Sequence, residues 1–222
     1  MSEKPADRLH VFESEAIVVT WSRARCIHAA ECVRQLPEVF EPGRKPWVRP
    51  ERAHADEVAR VVARCPTGAL HAERRDGGPP EAPAAKNVVY ASRSGPLYLR
   101  GRIEVLHADG TRVVEDLRVA LCRCGASRNK PFCDNSHWDA GFRDRGDVGT
   151  DGVRPAHGPT DGVLRVTLEP DGPMHLEGPF VMLSADGQHA AEAGAATLCR
   201  CGQSEHKPFC DGSHKKVAFE AR

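Results

Sequence analysis

The chain has 222 residues with 31 basic and 31 acidic side chains, so its formal net charge is zero. No run of like charges indicates a nucleic-acid or lipid surface, and no apolar stretch is long enough for a signal segment or a membrane span. Aromatic residues make up 5% of the chain beside 20 glycines and 17 prolines, which argues against one large apolar core. The length allows one large domain or two to three small ones, and we expect a cytoplasmic protein whose nine cysteines stay reduced and bind metal.

The N-terminal third predicts a mixture of strands and helices. Residues 9–22 contain a strand that ends near Trp21, and residues 45–48 are a plausible short second strand. A short helix is expected over residues 29–36 because Pro37 stops it, and a second one over residues 54–65, where apolar residues recur at helical spacing.

Three cysteines in this segment, Cys26, Cys32 and Cys65, are spaced as in a single-cluster ferredoxin. Such clusters take C-x2-C-x2-C from one loop and a Cys-Pro from elsewhere; here Ala29 replaces the middle cysteine and Cys65 precedes Pro66. The segment resembles monocluster ferredoxins of the divergent type, including those with Ala at this position that carry a 3Fe–4S cluster. The alternatives are a 4Fe–4S cluster with His28 or water on the fourth iron, or three buried cysteines without metal.

A linker rich in Gly, Pro and Ala covers residues 76–87, and an internal repeat follows it. A constant offset of 77 residues relates the two copies, for example from Cys122 to Cys199. Each copy predicts three strands: 88–90, 97–106 and 113–121 in the first, and 164–168, 174–183 and the segment before Cys199 in the second. Residues 144–162 join the copies, and Asp109-Gly110 is the hairpin turn of the first.

Each copy ends in three thiols and one imidazole at the spacing C-x-C-x8-C-x3-H. The first set is Cys122, Cys124, Cys133 and His137, and the second is Cys199, Cys201, Cys210 and His214. In an extended chain the two cysteines of C-x-C point to the same side and can reach one iron, while residues four apart on a helical turn share a face and can reach a second. Four donors divided in this way suit a 2Fe–2S cluster; Cys3His zinc is the alternative, although zinc sites favour a wider C-x2–4-C spacing.

Other side chains beside these ligands are candidates for supporting them. Carboxylates and hydroxyls at the start of the helical turn can satisfy free N–H groups, and a lysine before each Pro-Phe-Cys would favour a reduced cluster unless it is merely a solvated surface residue. These residues are Asp134, Ser136, Asp211, Ser213, Lys130 and Lys207.

The two stretches resemble the CDGSH (NEET) iron–sulfur family, whose pattern is C-x-C-x2-S/T-x3-P-x-C-D-G-S/A/T-H. The second copy matches throughout, whereas the first has Asn135 in place of Gly, a mild departure because Asn tolerates the left-handed region. The resemblance implies 2Fe–2S clusters with one His ligand each, and a role in electron or cluster transfer. It also implies that tandem copies form within one chain the pseudo-dimer that single-motif members form as homodimers.

We therefore expect an α+β protein: a divergent monocluster ferredoxin domain (1–75), then two β-rich CDGSH-type repeats (88–145 and 162–222) packed as an intrachain pseudo-dimer. The function that fits best is a multi-cluster electron carrier, a monomer with a redox partner protein and without a catalytic site of its own. A cluster-transfer or redox-sensing protein and an electron-transfer subunit of a larger oxidoreductase are the alternatives.

Overall fold

The computed structural model describes residues 8–149, 151–155 and 162–221. The chain divides into two compact units, Met1–Ala82 and Pro83–Arg222, which are treated separately below. The predicted joining segment 144–162 lies partly outside the described residues, as does the start of the predicted N-terminal domain.

The first unit is a three-stranded antiparallel sheet with short helices beside it. Its elements are β1 (Leu9–Glu13), β2 (Ile17–Ser22), α1 (Glu31–Gln35), a 3-10 helix (Pro50–Arg52), α2 (Ala55–Val62) and β3 (Leu70–Arg74), with β2 in the centre of the sheet. Residues 9–22 contain the predicted strand that ends near Trp21, which is β2, and a further strand, β1, that was not predicted. The two form a hairpin because Ser14 turns the chain: its hydroxyl donates to Ile17 O and accepts from Ile17 N. The strand predicted over residues 45–48 is wrong, since only an isolated bridge from Phe40 to Val48 forms there.

Helix α2 holds this unit together by burying one face. Val58, Val61 and Val62 are fully buried in one core with Ile17 and Val19 of β2. His54 caps the helix by accepting the Asp56 N–H, and Asp56 and Glu57 place negative charge in the first turn, where it favours the helix dipole.

The second unit contains both repeats. Its strands are β4 (Val88–Ala91), β5 (Leu97–His107), β6 (Arg112–Leu121), β7 (Val153–Arg154), β8 (Leu164–Leu168), β9 (Met174–Leu183) and β10 (Ala190–Leu198), followed by α3 (Ser213–Lys216). Strands β5 and β9 alternate buried residues with more exposed ones over much of their length, as expected of strands with one covered face, whereas the last four residues of β6 are all buried.

The two repeats exchange strand pairings. Within each repeat, β4 pairs with β5 and β8 pairs with β9, in both cases antiparallel. Between repeats, β4 pairs with β9 and β5 pairs with β8, in both cases parallel. The pairings are reciprocal, and one core of buried side chains from both repeats lies behind them.

A glycine marks the point where each long strand changes partner. In β5, residues 97–100 pair with β4 and residues 103–107 pair with β8, with Gly101 between them at φ +140°. A Cβ there would lie 2.1 Å from Asn87 Oδ1, so only glycine fits. Gly178 occupies the same place in β9, where a Cβ would lie 2.1 Å from Val163 O.

The described part of the chain is therefore mostly β, with few and short helices, and a small N-terminal unit is followed along the sequence by two repeats. This is a more β-rich fold than the α+β class expected from the sequence. Among the described residues, no helix combines the length and apolar character needed to cross a bilayer.

Candidate metal centres

The ligand set of each repeat is assembled by a loop that returns to the strand it left. After β6 ends, the chain folds back so that Cys122 N donates to Pro131 O at 2.8 Å and Cys133 N donates to Ala120 O at 2.9 Å. These backbone bonds bring the third cysteine beside the first two. The second repeat has the same bonds, from Cys199 N to Pro208 O and from Cys210 N to Thr197 O.

The donors of each set lie in two pairs. Cys122 Sγ and Cys124 Sγ are 3.6 Å apart, and Cys133 Sγ is 3.5 Å from His137 Nδ1. The second set repeats both distances, 3.6 Å between Cys199 Sγ and Cys201 Sγ and 3.5 Å between Cys210 Sγ and His214 Nδ1. Within the described residues, no group of three or more His, Cys, Asp or Glu side chains gathers around one metal-ion position.

These distances are those of two ligands on one metal. Two thiolates about 2.3 Å from a tetrahedral metal lie about 3.8 Å apart, and a thiolate and an imidazole nitrogen lie about 3.5 Å apart. Each set therefore fits two metal positions, one held by C-x-C and one held by Cys and the Nδ1 atom of His. The chemistry of the donors fits as well, because thiolates and imidazoles bind iron–sulfur clusters and zinc.

Burial opposes ionisation of these thiols when no metal is bound. It raises the pKa of Cys133 and of Cys201 to about 11 in each case. Cys122 and Cys124 share a hydrogen bond that lowers the pKa of Cys122 and raises that of Cys124, because one proton is held between the two sulfurs. A cation is the partner that would let all of them lose their protons.

The two histidine ligands differ in burial. His137 is 5% exposed and Cys133 is 3% exposed, whereas His214 and Cys210 are only half-buried. Trp138 lies beside the His137 ring, with centroids 5.2 Å apart, and Lys215 holds the equivalent position in the second repeat. The first set is thus the more shielded of the two.

The predicted supporting carboxylates hold the loops that carry the ligands. Asp134 accepts the N–H groups of Ser136 and Arg128, and Asp211 accepts those of Ser213 and Glu205. Burial alone would raise the pKa of Asp134, but hydrogen bonds from Ser136 and Arg128 hold it below its usual value. The pKa of Asp211 is also lowered, first by the Glu205 N–H and then by Ser213.

The predicted lysines are tied to the loops and are not freely solvated. Lys130 Nζ donates to Ser127 O at 2.8 Å and lies 6.0 Å from the centre of the Phe219 ring, which belongs to the other repeat. Lys207 Nζ donates to Ser204 O in the same way. Both ammonium groups are half-buried beside the cysteine loops.

Two arginines that the sequence analysis did not select hold the C-x-C turns. Arg123 and Arg200 stand between the paired cysteines; Arg123 Nε donates to Gly95 O at 2.9 Å and Arg200 Nε donates to Gly172 O at 2.8 Å. Arg123 also forms a buried ion pair of 2.6 Å with Asp144, and Arg200 has Ala221 at the equivalent position. The repetition of C-R-C in both copies is the signal that could have identified them.

A groove of about 620 Å³ connects the two ligand sets. Cys124 and Cys201 both line it, with Phe142 and Phe219 among the other lining residues. The two C-x-C turns also touch directly: a Cβ on Gly125 would lie 2.5 Å from Cys201 O, and a Cβ on Gly202 would lie 2.6 Å from Cys124 O. One cysteine of each set therefore lies at the contact between the repeats.

The first unit gathers its three cysteines around one small cavity. Cys26, Cys32 and Cys65 line it together with Ala29, whereas His28 is exposed and is not among the lining residues. Burial raises the pKa of Cys32 to about 11, and the nearby thiols of Cys65 and then Cys26 add to the effect. The structure thus brings together the three predicted ligands and places Ala29, not His28, at the same cavity.

Hydrogen-bond donors at this cavity suit an anionic, sulfur-rich ligand. Thr67 Oγ1 lies 3.6 Å from Cys65 Sγ, and it already accepts the Ala69 N–H at 3.2 Å, which leaves its own proton for the sulfur. The indoles of Trp21 and Trp47 also line the cavity; the sequence analysis noted Trp21 only as the end of a strand.

Comparison with known families agrees with this division of the chain. Residues 12–75 match a family described as a divergent 4Fe–4S mono-cluster domain. Residues 94–138 and 171–215 each match a family described as an iron-binding zinc finger of CDGSH type. The chain belongs to the CDGSH iron-binding family. Its CDGSH repeats follow a divergent mono-cluster domain, so this CDGSH protein is an iron–sulfur protein, as the spacing of its cysteines predicted.

Curated relatives of this CDGSH protein come from bacteria. An uncharacterised protein of Escherichia coli strain K12, YjdI, is 37% identical over 59 residues, which are 27% of this chain and 78% of the relative. The YjdI protein of Escherichia coli O157:H7 has the same identity and coverage.

Proposed function

We propose that this CDGSH protein is an electron carrier with three iron–sulfur clusters. The observation that carries the proposal is the division of each Cys3His set into two pairs at single-metal distances, 3.6 Å and 3.5 Å. A 2Fe–2S cluster needs that arrangement, because each iron takes two protein ligands. Such a cluster supplies one-electron chemistry, and the protein supplies its ligands, its burial and its neighbours.

The surrounding residues support electron transfer in three ways. The neutral imidazoles of His137 and His214 make each cluster less negative than four thiolates would, which favours reduction. Lys130 and Lys207 place positive charge beside the cysteine loops with the same effect. The contact of the C-x-C turns at Gly125 and Gly202 places one ligand of each cluster against the other repeat, which provides a short route between the clusters.

The reciprocal strand pairing supports a pseudo-dimer within one chain. Each repeat contributes one strand edge that the other completes, so the protein can work as a monomer with an internal two-fold relation. We also propose that the protein works in the cytoplasm with a redox partner protein. The nine cysteines form no disulfide, which supports a reducing compartment.

For the first unit we propose a 3Fe–4S cluster, with 4Fe–4S as the alternative. Three thiols line the cavity and Ala29, which has no donor atom, stands beside them. His28 is exposed, which argues against its acting as a fourth protein ligand. A four-iron cluster would then need solvent on its fourth iron.

Anaerobic purification with iron, sulfide and zinc counts tests the cluster assignment. A 3Fe–4S cluster and two 2Fe–2S clusters give about seven irons and eight sulfides per chain, and a 4Fe–4S cluster gives about eight irons. A colourless protein with stoichiometric zinc and no labile sulfide would overturn it.

Electron transfer is tested on the purified holoprotein. The reduced protein is mixed with cytochrome c as a general acceptor, and the visible spectra of both proteins are followed. Clusters that return to the oxidised state without loss of iron support the carrier function; clusters that disintegrate on each turnover contradict it.

A second candidate, cluster transfer, is favoured by the exposure of the second ligand set. Cys210 and His214 are half-buried where Cys133 and His137 are buried, and an imidazole can be protonated and released more readily than a thiolate. Incubation with an apo-ferredoxin separates the candidates. Transfer of the cluster from the second repeat, lost in a His214→Cys variant, would favour this function over electron transport.

A further inference from the structure

The cavity of the first unit contains two buried hydrogen-bond donors without an acceptor. Among the residues that the structure describes, neither Trp21 Nε1 nor Trp47 Nε1 has a hydrogen-bond partner, although both nitrogen atoms are shielded from solvent. Both indoles line the cavity that Cys26, Cys32 and Cys65 also line. Buried N–H groups are nearly always paired, so two unpaired donors at one cavity indicate an acceptor that belongs there.

The fold fixes the position of both rings. Trp21 lies on β2 and pairs with Leu70 of β3. Leu70 follows Cys65 closely in the sequence, which places Trp21 near that cysteine. Trp47 precedes Val48, which bridges to Phe40. The two indoles meet edge to face with centroids 5.1 Å apart and an interplanar angle of 72°, while Phe12 and Phe40 pack against Trp47 at 6.1 and 6.0 Å. The ring of Trp21 is thus positioned by its strand, and that of Trp47 by its aromatic neighbours.

We infer that Trp21 and Trp47 donate their indole N–H groups to sulfur atoms of the cluster held by Cys26, Cys32 and Cys65. The inference rests on the proposed function, in that it requires an iron–sulfur cluster at this cavity. An indole is a donor only, and sulfides and thiolates of a cluster are acceptors that carry negative charge. The Thr67 hydroxyl beside Cys65 Sγ adds a third donor of the same kind.

These hydrogen bonds tune the cluster as well as place it. A donor aimed at a cluster sulfur stabilises the reduced state more than the oxidised state, because reduction adds negative charge to the sulfurs. The two tryptophans therefore raise the reduction potential of this cluster. Their rings also cover it from water, which strengthens the effect of each donor.

The test is a redox titration of holoprotein variants followed by EPR. Trp21→Phe and Trp47→Phe keep an aromatic ring and remove the N–H. Each should lower the midpoint potential of the first-unit cluster, and the double variant should lower it further, with the iron count unchanged. The CDGSH-type clusters of the same molecule are an internal reference whose potentials should not move.

Trp138→Phe is the matched control. This tryptophan is 68% exposed, it lies beside His137 in the second unit, and it is the remaining one of the three in the chain. Its substitution should leave the first-unit potential where it is.

A second measurement keeps Trp21 and Trp47 in place and so does not depend on how their phenylalanine variants fold. Protein labelled with nitrogen-15 at the tryptophan indole, in the Trp138→Phe background, should show hyperfine coupling between the label and the paramagnetic first-unit cluster. Absence of that coupling, or potentials that overlay those of the wild type at full iron content, would overturn the inference while leaving the cluster intact. An iron count that Cys65→Ser does not change would overturn the cluster, and this inference with it.

Discussion

The residue after the aspartate of each motif adopts a left-handed backbone conformation. Asn135 has φ +72° and Gly212 has φ +88°. In the first repeat this conformation lets Asn135 N donate to Cys133 Sγ at 3.4 Å. Asn is among the few non-glycine residues that adopt this region easily, so the departure from the family pattern at Asn135 keeps the geometry of the loop.

Substitution at Gly212 should follow that backbone requirement. Gly212→Val should destabilise the second site by about 1–2 kcal/mol, because a β-branched residue is strained at positive φ, and Gly212→Asn should have a much smaller effect. No atom lies within 4 Å of a Cβ at this position, so the difference reports the backbone alone. Thermal loss of visible absorbance measures it; equal losses in the two variants would contradict the argument.

Burial of His137 predicts how the clusters respond to acid. Burial lowers the pKa of His137; Asp134 opposes this and the positive charge of Arg123 adds to it. A lowered pKa keeps the imidazole in its neutral, metal-binding form to a lower pH. The first cluster should therefore survive acid better than the second, whose ligands Cys210 and His214 are only half-buried.

Stopped-flow acidification checks this order. The visible absorbance should decay in two phases, and His214→Cys should remove the faster one. Removal of the slower phase by that variant would show that the more buried site is the more labile one.

The position of Ala29 predicts a change in iron content. Because Ala29 lines the cavity with the three cysteines, Ala29→Cys should supply a fourth thiolate, raise the iron count by about one per chain and abolish the odd-electron EPR signal of an oxidised 3Fe–4S cluster. His28→Ala is the control and should change neither quantity. An oxidised wild type that is EPR-silent with a full four-iron cluster would contradict the three-iron assignment.

At the scale of the elements, the turn that carries C-x-C depends on an arginine inside it. The guanidinium of Arg123 binds the carbonyl groups of Gly95 and Ser92 and the Asp144 carboxylate, with side chains 3% and 9% exposed in the ion pair. In the second repeat, Arg200 binds the carbonyl groups of Gly172 and Glu169, and its own burial lowers its pKa.

Removal of the Asp144 carboxylate should therefore be costly. Asp144→Ala leaves a buried guanidinium without its counter-charge, which we expect to destabilise the second unit by about 3 kcal/mol. The matched control is Glu192→Ala, which breaks an ion pair with Lys86 whose side chains are 81% and 69% exposed and which should cost less than about 1 kcal/mol. Denaturant unfolding followed by circular dichroism measures the free energy of unfolding of both variants. Similar losses of stability would show that the buried ion pair contributes no more than the exposed one.

The strands of the repeats were predictable almost to the residue, whereas their pairing between repeats was not. The strands over residues 164–168 and 174–183 agree with β8 and β9, because alternation of apolar residues is a local signal. The exchange of partners at Gly101 depends on the pairing of Ile103 with Leu164, a residue far along the chain, which no local pattern reveals. The strand predicted over residues 45–48 was wrong because the local signal, the apolar residues Trp47 and Val48, has no partner strand. Trp47 packs on the ring of Trp21, and Val48 forms only an isolated bridge to Phe40.

The grouping of the thiols and imidazoles was predictable because their spacing is repeated, and so were the supporting carboxylates Asp134 and Asp211, but other neighbours were not. Arg123 acts through the carbonyl group of Gly95 on another segment, although the repeated C-R-C pattern could have identified it. The indole of Trp47 lines the cysteine cavity, and no repeated spacing marks that position. Lys130 was selected from its position, but its contact with the ring of Phe219 joins the two repeats and required the tertiary structure.

For the whole molecule, the close contact of the C-x-C turns predicts that the two repeats are coupled. A Cβ on Gly202 would lie 2.6 Å from Cys124 O, so Gly202→Ala must push the repeats apart and should weaken both clusters. Gly187→Ala is the matched control, since it has a similar positive φ, +69° against +78°, and nothing within 4 Å.

The comparison separates backbone strain from the clash between repeats. Gly187→Ala should cost about 1–2 kcal/mol from strain alone, and Gly202→Ala should cost a further 1–3 kcal/mol or so from overpacking. Iron release measured at both sites would show the difference; a Gly202→Ala protein that loses only the second cluster would contradict the coupling.

The reciprocal strand pairing also sets an order on synthesis. During translation, β4 and residues 103–107 of β5 are made long before the strands with which they pair in the second repeat. Strand β4 waits for β9, and residues 103–107 wait for β8. The first repeat therefore emerges with an open edge, and its sheet is complete only once Leu183 has been translated. Insertion of iron into the first ligand set is for this reason expected after release of nearly the whole chain, and nascent chains arrested before Leu164 should not acquire the absorbance of a stable first cluster.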